Sequence, residues 1–184
     1  FYRRGESRCD ARTRTTGEVT GVARRNIRSM IPVKPPPLLP DLASRSDGHG
    51  LTQDDFRALF QYLYVEANWY TAPPGEQPLT VNFLPHHFDH AFFKEPAKGQ
   101  PRTIWKPDRA ERLLWIGYTL ENPCEVYRVG ASRLNLFSRM GDRSAPWYLV
   151  VIDRMGEWVA NFVTAYPLGH RDAVGARRIG DLLE

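Results

Sequence analysis

The sequence predicts an α+β fold in which N-terminal helices pack on a four-stranded antiparallel sheet. Apolar residues recur with a helical period across 52–66 and again across 107–121. From residue 124 the period changes to two, and the segments "CEVYRVG", "RLNLF", "PWYLVVID" and "EWVANFVTAYP" are separated by turn residues. Because the helices precede the strands and do not alternate with them, the pattern is typical of the α+β class.

Composition predicts one folded domain at 51–184, preceded by a basic, proline-rich irregular arm or linker at 1–50. With 42% hydrophobic and 12% aromatic residues the chain can fill a core, and no apolar run approaches the ~20 residues of a membrane helix. Residues 1–50 hold ten Lys/Arg against five Asp/Glu, a balance of +5, whereas 51–184 hold fifteen against sixteen, a balance of −1. The basic character of the chain therefore comes from the arm.

The arm ends in "VKPPPLLPDL", whose adjacent prolines favour extended polyproline geometry and predict a linker. Two functional interpretations stay open: a basic arm that touches nucleic acid, or a proline-rich ligand for a partner. The opening residues contain neither a methionine nor an apolar signal region, which predicts an internal fragment of a longer protein. Cys9 and Cys124 lie far apart, so we expect a reducing compartment and a buried or half-buried, unbridged Cys124 thiol.

The helix predicted at 52–66 has a start signal. Thr52 can cap it, and Asp55 occupies the capping-box position. Its apolar stripe comprises Phe56, Leu59, Phe60, Leu63 and Ala67. "LTVNF" at 79–83 then predicts a short strand.

The helix predicted at 107–121 begins with Pro107 and carries Asp108 and Glu111 in its first turns, where acidic side chains favour the helix dipole. Its buried face comprises Leu113, Ile116, Gly117 and Leu120. Among the strands, 146–153 is apolar enough to lie inside the sheet. A short helix is predicted within 171–183.

The stretch "LPHHFDHAFFK" at 84–94 concentrates three of the five histidines of the chain. If 86–94 is helical, Phe88, Ala91 and Phe92 form an inward stripe. His87, His90 and Lys94 then line another face. Three interpretations follow: a metal site, a solvated helix face, or a catalytic group.

The metal interpretation rests on His86 and His90, whose i, i+4 spacing can supply two zinc ligands, with Asp89 beside them. The segment lacks the glutamate that follows the first histidine in metalloprotease helices. A third ligand would have to come from His170 or from a distant carboxylate.

The catalytic interpretation starts from RNA cleavage through the 2′-OH, which needs a base, an acid and cations around the phosphate. Histidine titrates near neutrality and can serve in either proton-transfer role, while Lys and Arg stabilise the added charge. Thr164 and Tyr166 are expected on the same side of the last strand as Phe162, suited to a phosphate or a ribose hydroxyl. Arg128 on the first strand of the sheet is a candidate phosphate clamp.

The series "HHFDHAFFK", "RAERLLWIGYTLENPCEVYR", "YLVVID" and "FVTAYP" resembles the phage-associated and polymorphic-toxin branch of the Barnase–EndoU–colicin–RelE ribonucleases. In that group a helical half carrying a histidine near a basic residue precedes a four-stranded antiparallel sheet. The resemblance spans roughly residues 79–167 and lies in the order and spacing of short segments.

The resemblance implies a metal-independent endoribonuclease toxin without a cofactor. Its substrate would be tRNA or mRNA, cut to a 2′,3′-cyclic phosphate, and its partner a cognate immunity protein. Such a toxin would be delivered or secreted into a target cell and act in its cytoplasm. We also expect the protein to be a monomer that makes no membrane contact. The site residues carried over are His87 or His90, Lys94, Arg128, Thr164 and Tyr166. The chain departs from the pattern in offering three histidines and in lacking a strongly basic domain.

Two other functional classes stay open. A non-enzymatic phage or secretion-system module would use the proline-rich arm and an aromatic surface to bind a protein. An ADP-ribosyltransferase would also carry a strand arginine and strand hydroxyls, but its characteristic glutamate is not evident. One geometric observation distinguishes the enzyme from the binding module. If the His87/His90 helix face and the Thr164–Tyr166 strand end line one cleft, the enzyme is favoured; if they lie on opposite surfaces, the binding module is favoured.

Overall fold

The computed structural model describes residues 35–41, 48–141, 145–169 and 174–183. Most of the helices in these ranges are short. They are α1 (Gln53–Phe60), α2 (His87–Phe92), α3 (Pro107–Ala110) and α4 (Leu114–Glu121), with a π-helical turn at Gln61–Val65 directly after α1. The strands are β1 (Trp69–Thr71), β2 (Leu79–Asn82), β3 (Phe93–Lys94), β4 (Ile104–Trp105), β5 (Glu125–Val129), β6 (Arg133–Arg139), β7 (Trp147–Arg154), β8 (Val159–Leu168) and β9 (Asp181–Leu183).

The predicted fold class was wrong, because the main sheet is seven-stranded and mixed. Its strand order is β1-β2-β8-β7-β6-β5-β9, and β3 and β4 form a separate hairpin. The strands β5 to β8 pair consecutively and antiparallel. β2 adds to this meander in parallel with β8, and β1 pairs antiparallel with β2. The domain is therefore mostly sheet, with short helices on it, and not a set of helices over four strands.

Two of the added strands are too short for their periodicity to be visible in the sequence. β1 has three residues and follows the π-helical turn, whereas the four residues of β2 confirm the strand predicted at 79–83. β9 also has three and occupies the end of the segment 171–183 in which a short helix was predicted, while residues 174 and 175 of that segment are helical. Gly180 brings β9 close to β5, since an added Cβ would lie 1.9 Å from the Arg128 carbonyl oxygen, and its φ of +93° is in the region that favours glycine.

The larger core lies between the helices and one face of the sheet, and Phe60 is at its centre. The Phe60 ring contacts Tyr64, Phe83, Phe88 and Phe162 at centroid separations of 5.4 to 6.4 Å. These contacts join α1 to α2 and to β8. The inward stripe predicted for the histidine-rich helix is confirmed, because Phe88, Ala91 and Phe92 are fully buried.

The start of the first helix is also as predicted. The Thr52 hydroxyl accepts the Asp55 N–H at 3.2 Å, and the Asp55 carboxylate accepts the Thr52 N–H at 2.8 Å. This reciprocal pair is a capping box. The helix predicted at 107–121 is divided into α3 and α4, and its predicted inward residues are buried.

A β-bulge in β8 decides which side chains face the helices. The register with β7 shifts between Val151 and Ile152, which pair with Thr164 and Phe162, so Val163 is an extra residue. Phe162 and Ala165 belong to the core under the helices, whereas Val163 and Tyr166 pack in a smaller cluster around Phe137 and Leu149. Because Thr164 pairs with Val151 of that smaller cluster, Thr164 and Tyr166 share the sheet face opposite Phe162. The prediction that they lie on the side of Phe162 was wrong.

The proline segment at 35–41 lies against the helices. The Leu39 N–H donates to the Glu111 carbonyl at 2.8 Å, and the Trp115 indole donates to the Pro36 carbonyl at the same distance. The central position predicted for 146–153 is confirmed, since Val150 and Val151 are buried in β7. Cys124 is exposed, so the expectation of a buried or half-buried thiol was wrong. Within the described ranges, the helices are too short or too polar to cross a bilayer.

We expect Gly117→Ala to lower the free energy of unfolding by about 1–3 kcal/mol, the usual cost of overpacking. An added Cβ on α4 would lie 2.2 Å from the Trp69 ring, whose own position is held by stacking on Tyr64. Alanine favours a helix over glycine by ~1 kcal/mol, which offsets part of that cost. Chemical denaturation measures the difference. Gly156→Ala, where nothing lies within 4 Å of the new Cβ, is the matched control and should leave stability nearly unchanged.

Candidate functional site

The three clustered histidines do not share one helix face with Lys94. The helix α2 ends at Phe92, and Phe93 is already extended with φ −118° and ψ 154°. Lys94 therefore lies on β3 and pairs with Ile104 of β4. His87 is buried whereas His86 and His90 are exposed. The predicted alignment of His87, His90 and Lys94 was wrong, because the helix ends two residues before Lys94 and because His87 is buried.

His87 is part of the framework under the sheet. Its Nδ1 accepts the Leu84 N–H at 3.1 Å, and its ring lies 5.7 Å from that of Phe162. Burial, with the charges of His86 and His90 in support, lowers the pKa of His87 from its ordinary 6.5 to about 4. The imidazole is thus neutral at pH 7 and orders the turn that leads from β2 into α2.

His90 is exposed at the end of α2 and is close to charged groups of the following hairpin. Its pKa is lowered, chiefly by partial burial and then by the charge of Arg102, while Glu95 acts in the opposite direction. Arg102 also donates from Nη1 to the His90 carbonyl at 3.0 Å and to the Phe93 carbonyl at 3.3 Å. These hydrogen bonds connect the end of α2 to the loop of the β3–β4 hairpin, on which Arg102 lies.

A basic cavity of about 410 Å³ lies beside this hairpin. Its charged lining consists of four cationic side chains and one carboxylate, namely Lys94, Lys98, Arg102, Arg109 and Glu95. The predicted domain as a whole carries a balance of −1, so this concentration of positive charge is local. We call this feature the basic cavity, and it is suited to a phosphate-bearing ligand.

Arg109 connects the basic cavity to β8. It donates from Nη1 to the Ala91 carbonyl at 3.1 Å, and its guanidinium lies 5.2 Å from the centroid of the Tyr166 ring. It is the third residue of the four-residue helix α3, and these two contacts fix the position of its side chain.

The predicted site residues are brought together only in part. Lys94 lines the basic cavity, and Tyr166 lies next to it through Arg109. Thr164 is on the same sheet face as Tyr166, and His87 lies under the opposite face.

Arg128 lies elsewhere. It is on β5, three strands from β8 and so about 14 Å across the sheet. Its guanidinium is engaged by the carboxylate of Glu76, which also accepts from Arg154 at 2.8 Å. Glu76 is nearly buried, so this trio ties the β1–β2 connection to the sheet.

The basic residues of the cavity other than Lys94 were missed by the sequence interpretation. Lys94, Lys98 and Arg102 recur every four residues in "KEPAKGQPR", a segment rich in turn residues. That spacing, and a basic residue in the first turn of a helix at Arg109, are the signals that could have indicated them.

For the metal interpretation, no cluster of three or more His, Cys, Asp or Glu side chains suited to a metal ion occurs in the described part of the chain. His170, named above as a distant third ligand, lies outside the described residues.

Comparison with models of protein families, with curated proteins and with solved structures found no match to this chain.

The lowered pKa of His87 predicts a specific loss of stability in acid. Between pH 6.5 and about 4 the unfolded chain binds a proton on this residue and the folded protein does not. The free energy of unfolding should therefore fall as the pH falls through this range, by about 2–3 kcal/mol from His87. In His87→Asn, whose side-chain oxygen can still accept the Leu84 N–H, the dependence should be shallower. Urea unfolding at a series of pH values checks this, and equal slopes for the two proteins would contradict it.

Proposed function

We propose that this domain is a metal-independent endoribonuclease that cuts at the basic cavity beside His90. The observation that supports this most is the convergence of Lys94, Lys98, Arg102 and Arg109 on one cavity next to an exposed histidine. An internucleotide phosphate carries one negative charge and gains another during in-line attack. Fixed cations already in place stabilise that added charge without reorganisation.

In the proposed reaction His90 is the general base. The neutral imidazole takes the proton of the ribose 2′-OH, and the 2′-oxygen forms a bond to phosphorus. The bond from phosphorus to the 5′-oxygen then breaks, and the leaving oxygen takes a proton from the Lys94 ammonium group. Arg102 and Arg109 bind the non-bridging oxygens. The products are a 2′,3′-cyclic phosphate and a 5′-hydroxyl.

His87, the other histidine candidate, has no step in this proposal. It is buried and its Nδ1 already accepts a backbone N–H. Substitution of His87 should therefore lower the stability of the fold. This differs from the expectation that its side chain faces a catalytic cleft.

A non-enzymatic binding module is the second candidate function. The placement of Thr164 and Tyr166 on the sheet face opposite His87 favours it, because the predicted catalytic groups do not meet in one cleft. Such a module would bind its partner without cleaving RNA under any of the conditions below.

Purified protein incubated with total RNA in excess EDTA should produce fragments with 2′,3′-cyclic phosphate ends. His90→Ala should lower the rate by ~10²–10⁴-fold, the typical worth of general acid–base catalysis. His86→Ala is the matched control, because His86 is also exposed on the same segment and has no role in the proposed step. Cleavage lost in EDTA and restored by zinc, or equal rates for wild type and His90→Ala, would overturn the proposal.

The pH dependence of cleavage should be bell-shaped, with its acid limb set by His90. The base must be neutral, and the pKa of His90 is lowered from 6.5, so the rate should reach half its maximum below pH 6.5. Initial rates from pH 4.5 to 10 with one oligonucleotide substrate measure both limbs. An acid limb centred above pH 7 would contradict the assignment of His90.

A further inference from the structure

Two aromatic rings on the second face of the sheet are each flanked by two guanidinium groups. Arg139 and Arg178 lie 5.5 and 4.8 Å from the centroid of the Trp147 ring. Arg109 and Arg177 lie 5.2 and 5.7 Å from that of Tyr166. Both rings are half-buried. We call these six residues the arginine–aromatic row.

The two rings are neighbours on one surface. Trp147 pairs with Leu168, and Leu149 pairs with Tyr166, so the rings are diagonal neighbours across β7 and β8. Diagonal neighbours of this kind on adjacent antiparallel strands lie about 7–8 Å apart. The two ring positions are thus separated by about one step of a single nucleic-acid strand.

Contact with a ring does not use up the N–H donors of a guanidinium group, which has five of them. Arg178 is paired with Glu125 at 2.7 Å, whereas the described carboxylates include no ion-pair partner for Arg139 or Arg177. A row in which Arg139 and Arg177 keep their donors free of carboxylates is suited to a ligand with repeated phosphates.

We propose that the arginine–aromatic row binds single-stranded RNA, with successive phosphates on the arginines and unpaired bases against the rims of Trp147 and Tyr166. A duplex keeps its bases stacked inside, so half-exposed rings next to cations favour a single strand. Arg109 belongs both to this row and to the basic cavity. The row therefore leads the strand to the site of cleavage, and in this last respect the inference rests on the proposed function.

The test is binding of an uncleavable single strand, a fluorescent 2′-O-methyl oligonucleotide of roughly 12 nucleotides, within the usual range of site sizes. Fluorescence anisotropy should show that Arg139→Gln/Arg177→Gln weakens binding by about tenfold or more. The slope of log K against log salt should become smaller by about 1.4, or 0.7 for each lost phosphate contact on a single strand. Glutamine keeps a planar group over each ring, and thermal melting checks that the variant is folded.

The matched control is Arg57→Gln/Arg133→Gln. It removes the same charge from two exposed arginines that are paired with Asp89 and Asp153. This control should change the affinity by less than threefold. Equal weakening by both double variants would mean that only net charge matters, and the inference would fail. Binding of the matching duplex as tightly as the single strand would also overturn it.

The same variants separate the inference from the proposed function. Row-dependent binding without cleavage of ordinary RNA would support the row and refute the nuclease. Cleavage that depends on His90, with binding unaffected by Arg139→Gln/Arg177→Gln, would support the nuclease and refute the row.

Discussion

The contacts of Phe60 with its aromatic neighbours are the interaction on which the rest of the domain depends. This ring joins α1 to Phe88 and Phe92 of α2 and to Phe162 of β8. The position of α2 determines where β3 begins, and β3 with the segment that follows it lines most of the basic cavity. Because aromatic pairs of this kind contribute ~0.5–1.5 kcal/mol each beyond buried area, the cluster stabilises the geometry of the cavity as well as the core.

The location of the candidate site depends on where a helix ends and where a strand changes register. The helix α2 stops at Phe92, which places Lys94 in the hairpin and leaves His90 at the helix end. The bulge at Val163 turns Tyr166 to the second sheet face, where Arg109 and Arg177 contact its ring. Both features depend on a change of one or two residues in register, and both determine which charges meet.

Local sequence patterns predicted the helices and the central strands well. They predicted poorly which distant strands pair and on which face of the sheet each side chain lies. The capping box at Thr52 and the burial of Phe88 and Val150 follow from spacing alone, since each depends on residues close in sequence. The parallel addition of β2, the three-residue strands and the bulge do not, because short strands have too few alternations to define a period. Of the cationic residues that line the basic cavity, Lys94 was predicted as a site residue. Arg102 and Arg109 were missed because they come from the hairpin and from the start of the next helix.

The parallel pairing of β2 with β8 bears on how the chain reaches its native state. Thr80, Val81 and Asn82 pair with residues 79 positions later, Val159 to Asn161. The β1–β2 hairpin has only three paired positions, and an isolated two-stranded hairpin is marginal in water. It therefore gains a stable neighbour only after the long loop to β8 has closed, whereas β5 to β8 pair with strands adjacent in sequence. We expect the meander to assemble early and the docking of β1–β2 to limit the folding rate, in keeping with the slow formation of non-local pairings.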